Sequence, residues 1–215
     1  METPEKRRSK KLAMIAFSMV ALISLSSAQE SFAISTDYKK VAAVTRDAQL
    51  SGGQIVQEKV KIGDKEFHVT RALIKSNPEH VWSYLTDYDK APSVFSNLKK
   101  IRLLDQKDNR KKVEFEVVSL GGLVKYDYVL HVVESEPHQM EWSRASGAFR
   151  ENDGFWSLEP VEGGKYTLVT YAKHIDGGLF VPRMIVDKQL KSTMPNVISN
   201  LRSAVATDKK RIAQK

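Results

Sequence analysis

The sequence contains few residues of the types that form metal sites or covalent catalysts. It has no cysteine, which excludes disulfides, thiolate metal sites and cysteine nucleophiles. Its five histidines are scattered, and no two of them are separated by the two or four residues that would place both imidazoles on one face of a strand or helix. We therefore expect no metal and no other cofactor.

Two single residues remain as candidate catalytic groups. Arg144 follows Met140 and Trp142 at alternate positions, which on a strand places its guanidinium on the same face as these apolar side chains. A buried cation there needs a carboxylate, a phosphate or a ligand anion; alternatively, Arg144 ends the strand and reaches solvent or Glu159. His174 ends the last predicted strand, where it could act as a general base at the mouth of a cavity.

Several short strands must position these residues. Apolar and aromatic side chains alternate with polar ones through the middle of the chain, and turn sequences interrupt the pattern at 121–122, 152–154 and 162–164. Alternation with glycine-bearing turns is typical of antiparallel strands joined in sequence order. A further strand pair is predicted before these, at 55–62 and from Phe67.

Helices are predicted at two places in the chain. Asn77 and Pro78, followed by Glu79, have the order of an N-cap, a first-turn proline and a first-turn acid, and a second short helix is predicted at 91–95. A long helix is predicted at 182–206, because apolar residues recur there along one stripe and Pro195 interrupts their pattern. Only this last helix is long enough to cover a sheet.

The side chains predicted to face inward form the candidate ligand cavity. A hollow between a curved sheet and a covering helix is a ligand site by default, although the same residues could equally fill a solid core. The predicted cavity residues are Phe115, Tyr126, Tyr128, Met140, Trp142, Arg144, Trp156 and Leu158 from the strands, and Leu190 and Met194 from the helix.

The net charge of +8 is confined to the two ends of the chain. Residues 34–181 carry 21 basic and 21 acidic side chains, so the main domain is neutral and nucleic acid is not an expected partner. Residues 1–33 have the basic start, the uncharged apolar stretch 12–25 and the small residues of a signal peptide, cleaved or retained as an anchor. Residues 34–54 are a polar lead-in, 55–207 the domain and 208–215 a basic tail, and we expect an exported protein.

The remaining basic charge lies on the last helix and the tail. Lys188, Lys191, Arg202 and Lys209 project to one flank of the apolar stripe, and we call these four residues the basic flank. Such a surface is suited to peripheral contact with anionic lipid headgroups, with a simple solvated helix face as the alternative.

The sequence resembles the START-like polyketide cyclase/dehydrase and lipid-transport family, which is related to the coenzyme Q-binding proteins and the birch-pollen allergen. The resemblance rests on Ser-Asn-Pro-Glu-His-Val-Trp at 76–82, Ile-Arg-Leu-Leu at 101–104, Gly-x-Trp-x-Leu-x-Pro at 154–160, and Val-Pro at 181–182 with Met-Pro at 194–195. It implies an α+β helix-grip fold: a curved antiparallel sheet wrapped round a long C-terminal helix, with two short helices after the first strand of the core.

The resemblance leaves three functions open, because members of such a family bind, transport or transform different apolar ligands. The first expectation is an exported protein that binds or carries a lipid, an isoprenoid or a polyketide-like molecule. The second is a metal-free cyclase or dehydratase that holds a reactive chain in shape. The third is a protein-interaction module whose core is filled.

Overall fold

The computed structural model describes residues 50, 52–119, 122–179 and 181–213, with side chains described up to residue 208. The predicted signal peptide and residues 34–49 of the lead-in lie outside these described residues, as does the side chain of Lys209. No helix among the described residues is long and apolar enough to cross a membrane.

Eight antiparallel strands form one curved sheet in the order β1-β2-β8-β7-β6-β5-β4-β3. Strands β3 to β8 follow one another as hairpins, and β2 closes the arrangement by pairing with β8. The strands are β1 Val56–Ile62, β2 Lys65–Ile74, β3 Leu98–Lys107, β4 Arg110–Ser119, β5 Val124–Ser135, β6 Gln139–Gly147, β7 Glu151–Val161 and β8 Tyr166–Asp176.

Two short helices connect β2 to β3, as the sequence predicts. Helix α1 spans Pro78–Thr86, and the side chain of Asn77 caps it by accepting a hydrogen bond from the backbone N–H of His80 at 3.2 Å. Helix α2 spans Ala91–Val94. Proline in the first turn of each helix costs no hydrogen bond, because the missing N–H has no partner inside the helix.

The long helix α3, Arg183–Ala213, packs its apolar stripe against the sheet. The stripe residues recur every three or four positions and are nearly inaccessible to solvent. They are Leu190, Met194, Ile198, Leu201 and Val205. This arrangement of one sheet and one covering helix confirms the predicted α+β helix-grip class.

Pro195 lies inside α3, and β1 compensates for the hydrogen bond that it removes. A proline at this position has no N–H to donate to the carbonyl of Lys191, four residues earlier. Gln57 of β1 donates its side-chain N–H to that carbonyl at 3.0 Å. The helix therefore continues through the proline, with an edge strand supplying the missing donor.

One predicted turn is wrong. Residues 152–154 were expected to reverse the chain, but they lie inside β7, where Gly154 pairs with Trp142 on one side and Lys173 on the other. The chain reverses earlier, after Gly147, whose φ of 104° is accessible mainly to glycine. Gly154 serves another purpose, because a Cβ there would overlap the indole of Trp142 and the carbonyl oxygen of Ala172.

Candidate functional site

A cavity of about 160 Å³ lies between the sheet and the helices. It is built mainly from apolar and aromatic side chains contributed by six strands and three helices. The lining residues are Leu85, Tyr88, Ala91, Phe95, Asn97, Leu98, Ile101, Phe115, Val117, Tyr128, Leu130, Val132, Met140, Trp142, Trp156, Tyr171, Lys173 and Val197.

Strand alternation explains why these residues share one face. Tyr128, Leu130 and Val132 occupy every second position of β5, and residues at such positions lie on the same side of a sheet. Aromatic rings then stack across neighbouring strands: Trp156 on Tyr171 with centroids 4.1 Å apart, and Phe115 on Tyr128 at 5.4 Å. Stacked rings form stiff walls, which favour a hollow that persists over one that collapses.

The cavity has a closed end and an opening. Met140, Trp142 and Trp156 are buried. Phe95, Ile101 and Val117, which come from α2, β3 and β4, are only half-buried. A ligand would therefore enter between α2 and the β3–β4 hairpin and reach inward toward the tryptophans.

The structure brings together half of the residues predicted for the cavity. Phe115, Tyr128, Met140, Trp142 and Trp156 line it. Four of the other predicted residues lie outside the cavity. Leu158, Leu190 and Met194 are core residues. Tyr126 packs on Phe149, with ring centroids 5.0 Å apart, beside a smaller void.

Arg144 does not line the cavity, contrary to the first of its two interpretations. The pairing of β6 with β7 ends at Trp142 and Gly154, and a register shift interrupts the pairing of β6 with β5 nearby. Arg144 therefore lies where β6 pairs with β5 alone, and its exposed side chain donates a hydrogen bond to the carbonyl of Gly147 at 3.0 Å.

His174 also lies outside the cavity. It neighbours Lys173 on β8 and so faces the other side of the sheet, where its ring contacts Phe67. Its Nδ1 lies 2.8 Å from the carbonyl oxygen of Glu66, and its Nε2 lies 3.2 Å from a carboxylate oxygen of Glu151. With both ring nitrogens engaged, His174 is not positioned to serve as a base for a molecule in the cavity.

Lys173, which was not among the predicted site residues, is the one charged residue among those described that lines the cavity. It follows Tyr171 on the inward face of β8, and its ammonium lies 5.8 Å from the centroid of the Tyr128 ring. Burial lowers the pKa of Lys173 to about 8, because the ammonium loses hydration inside the protein. The signal was present in the sequence, since Lys173 shares the alternation of Val169 and Tyr171.

The tyrosines of the cavity supply neutral hydroxyl groups. Burial raises the pKa of Tyr128 and, together with the neighbouring Tyr128, that of Tyr171. Tyr88, at the α1 end, has its pKa raised by burial and by Glu134, to which its hydroxyl donates at 3.2 Å. Glu134 is itself paired with Lys111 at 2.8 Å. The charges at that end of the cavity are thus already matched.

Other features of the described residues are less suited to ligand chemistry. A larger cleft of about 690 Å³ lies between α1, α2 and α3, but it is an open groove lined mainly by polar side chains such as Ser83, Asp87 and Asn200. Ligand sites are more often lined by apolar residues with a few polar groups, which describes the smaller cavity. The residues that the structure describes contain no cluster of three possible metal ligands.

The basic flank is divided in the structure. Lys188 and Lys191 are exposed on α3. Arg202 instead turns toward the chain near β1 and donates to the carbonyl of Gly53 at 3.0 Å, and burial lowers its pKa. It is half-buried and does not join the two lysines in one exposed surface.

Comparison with solved structures supports the fold assignment. The human StAR-related lipid transfer protein 5 matches 85% of this chain and 97% of its own, with a TM-score of 0.61 and 14% identity. Human STARD10 matches 83% of this chain and 82% of its own, with a TM-score of 0.62 and 10% identity. The Zhui aromatase/cyclase from Streptomyces sp. R1128 matches 70% of this chain and 94% of its own, with a TM-score of 0.58 and 10% identity.

Comparison of the sequence with protein families identifies the group. No curated protein matches the sequence significantly. The family model described as polyketide cyclase/dehydrase and lipid transport matches residues 74–202, from the end of β2 into α3. This region contains α1, α2 and all the strands that line the cavity. The chain therefore belongs to the polyketide cyclase/dehydrase and lipid transport family.

Proposed function

We propose that this protein binds and carries a small hydrophobic or amphipathic molecule in the cavity between the sheet and α3. The observation that carries the proposal is the cavity lined by aromatic and apolar side chains, with Lys173 as the single inward cation among the described residues. The lipid transfer proteins that share the fold support it as relatives whose names state that activity. A filled core, the interaction-module alternative, fits the cavity less well.

The volume of the cavity limits the size of the ligand. An engineered cavity of about 150 Å³ in another protein binds benzene. A space of about 160 Å³ therefore suits a single ring or a short chain, and a longer tail would extend through the opening at Phe95 and Val117. Each methylene transferred from water contributes about 0.8 kcal/mol, so even a short chain gains useful affinity.

Catalysis of the cyclase type receives less support from this cavity than binding does. The two residues nominated for it, Arg144 and His174, point away from the cavity. The polar or partly polar lining residues described are tyrosines, tryptophans, Asn97 and Lys173, which orient a ligand without the carboxylate or imidazole base that proton abstraction commonly uses.

Replacing Val117 with phenylalanine should reduce ligand binding. Val117 is a half-buried lining residue at the opening, so a larger ring would occupy ligand space while leaving room for the strand to keep its register. We expect affinity for octan-1-ol, followed by the fluorescence of the tryptophans, to fall by roughly tenfold or more, the effect of excluding about two methylenes.

Val129→Phe is the matched control, because Val129 is a half-buried valine on the opposite face of β5. It should leave affinity unchanged. Equal effects of the two substitutions, or no binding of any apolar probe by the wild-type protein, would contradict a ligand site in this cavity. Native mass spectrometry of the purified full chain provides a second measurement through any co-purifying molecule.

We further propose that the protein is exported and works beside an anionic membrane. Export is supported by the signal-like pattern of residues 1–33, and determining the start of the mature chain by mass spectrometry tests it, with cleavage expected after Ala28 or Ala33. Membrane contact is supported by α3, where Lys188 and Lys191 share a helix face with Met184, whose side chain is 75% exposed.

Replacing both Lys188 and Lys191 with glutamine should weaken binding to phosphatidylcholine vesicles that contain phosphatidylserine. Each lysine near an anionic surface contributes on the order of 1 kcal/mol, so the partition coefficient should fall roughly tenfold or more. Binding to vesicles of phosphatidylcholine alone should not change. The same double substitution at the exposed sheet residues Lys99 and Lys112 is the control, and an equal loss there would argue against contact through α3.

A further inference from the structure

We propose that the ligand of the cavity is a small amphipathic acid whose carboxylate is bound by Lys173. This proposal rests on the proposed function, since it specifies the chemistry of the molecule that the same cavity would hold. The polar end of the ligand would then enter the cavity first.

The charge around the cavity is unbalanced. Lys173 brings an ammonium group, and none of the described lining residues is acidic. The face of the Tyr128 ring, whose centroid lies 5.8 Å from the ammonium, attracts a cation weakly without accepting a hydrogen bond from it. No ion pair involves Lys173 within the part of the chain that the structure describes.

The nearby acids are committed to other partners. Lys173 stands opposite His68 of β2 and opposite Gly154 of β7. His68 lies 2.9 Å from a carboxylate oxygen of Asp187 on α3, and the second oxygen of Asp187 accepts from Lys59 at 2.9 Å. The other titratable residues described in the lining are the neutral Tyr88, Tyr128 and Tyr171. A ligand is therefore the natural source of a counter-charge for Lys173.

The unpaired ammonium of Lys173 favours an anionic group on the ligand. A carboxylate offers two acceptor oxygens and one negative charge, so it can accept a charge-assisted hydrogen bond from Lys173. The rest of the lining is apolar and leads from this end to the opening at Phe95, Ile101 and Val117. The acid would lie inside with its apolar tail pointing outward, so a cavity of about 160 Å³ can serve a tail of varied length.

The test compares three probes that share one chain: octanoic acid, octan-1-ol and octylamine. At pH 7 the wild-type full chain should bind the acid about ten- to hundredfold more tightly than the alcohol, the range expected of a charge-assisted hydrogen bond, and the amine most weakly. Lys173→Met should remove the preference for the acid and leave the affinity for the alcohol within a few-fold.

Lys165→Met is the matched control, because Lys165 is an exposed lysine in the β7–β8 turn and its loss changes net charge equally. The preference of the wild-type protein for octanoic acid over octan-1-ol should also decline as pH rises through about 8, where Lys173 loses its proton. If acid and alcohol bind alike, or if Lys165→Met matches Lys173→Met, the carboxylate assignment is wrong while the cavity remains a ligand site. If none of the three probes binds, both proposals fail.

Discussion

Replacing Gly154 with alanine is expected to destabilise the protein by about 3 kcal/mol, at the upper end of the cost of overpacking a core. The added methyl group would overlap the Trp142 indole and the carbonyl oxygen of Ala172. The carbonyl belongs to the paired strand β8 and cannot move without breaking the ladder, and the indole is confined between strands. The Tm measured by circular dichroism should fall by roughly 6 to 12 °C.

The control is Gly163→Ala in the β7–β8 turn. A methyl group at Gly163 meets no atom within 4 Å, but the φ of 66° is unfavourable for alanine. Backbone strain alone should therefore cost about 1 kcal/mol. If Gly154→Ala costs no more than this control, the close approach of Trp142 to β7 is wrong, and with it the shape of the closed end of the cavity.

Gly154 also shows why one part of the fold was predicted wrongly from the sequence. Asn-Asp-Gly is a strong turn signal when only neighbouring residues are considered. In the structure this glycine makes room for a tryptophan from the adjacent strand, a contact between residues twelve positions apart. Local turn preference cannot anticipate this contact, because it arises from the pairing of two strands.

The elements set by local chemistry were predicted well. The Asn77 cap with Pro78 begins α1, and the apolar stripe of α3 faces the sheet. Strand alternation also identified five lining residues of the cavity. These features depend on spacing within one element, which a single sequence contains in full.

Alternation was less reliable where a strand lost its partner. Arg144 has the right parity for the cavity, but β6 has already separated from β7 at that point. The odd or even position of a residue along a strand identifies the face of the sheet on which it lies, but it does not show where the pairing with a neighbouring strand ends. Lys173 is the converse case. Its position in the alternation of β8 places it on the cavity face, but a charged residue near the end of an apolar strand is normally interpreted as marking a solvated end.

Replacing Lys173 with methionine is expected to stabilise the protein at pH 7, an unusual result for a residue that lines a cavity. A lysine with a folded-state pKa of about 8 and an ordinary value of 10.5 is harder to protonate in the folded protein. The corresponding penalty is about 3 kcal/mol. Because a cavity that admits water relieves part of this cost, we expect a gain of about 1 to 3 kcal/mol in the free energy of unfolding.

The dependence on pH tests the cause of this gain. Below pH 8 both states hold the proton, so the folded state bears the full penalty and the methionine variant has its greatest advantage. Between pH 8 and 10.5 the folded wild-type protein releases the proton while the unfolded chain retains it, and the two variants should converge. The difference between their urea unfolding curves isolates Lys173 from other groups that titrate in the same range.

Lys165→Met should show no such pH-dependent difference from the wild type. A Lys173→Met variant that is less stable, or more stable by the same amount at every pH, would contradict a desolvated ammonium in the cavity.

The expected combination, with stability gained and acid binding lost, separates a functional lysine from a structural one. A residue retained for packing or ion pairing should lose stability when replaced, whereas a residue that holds its charge ready for a ligand costs stability until the ligand binds. Adding octanoic acid to the wild-type protein should accordingly narrow its difference from the methionine variant.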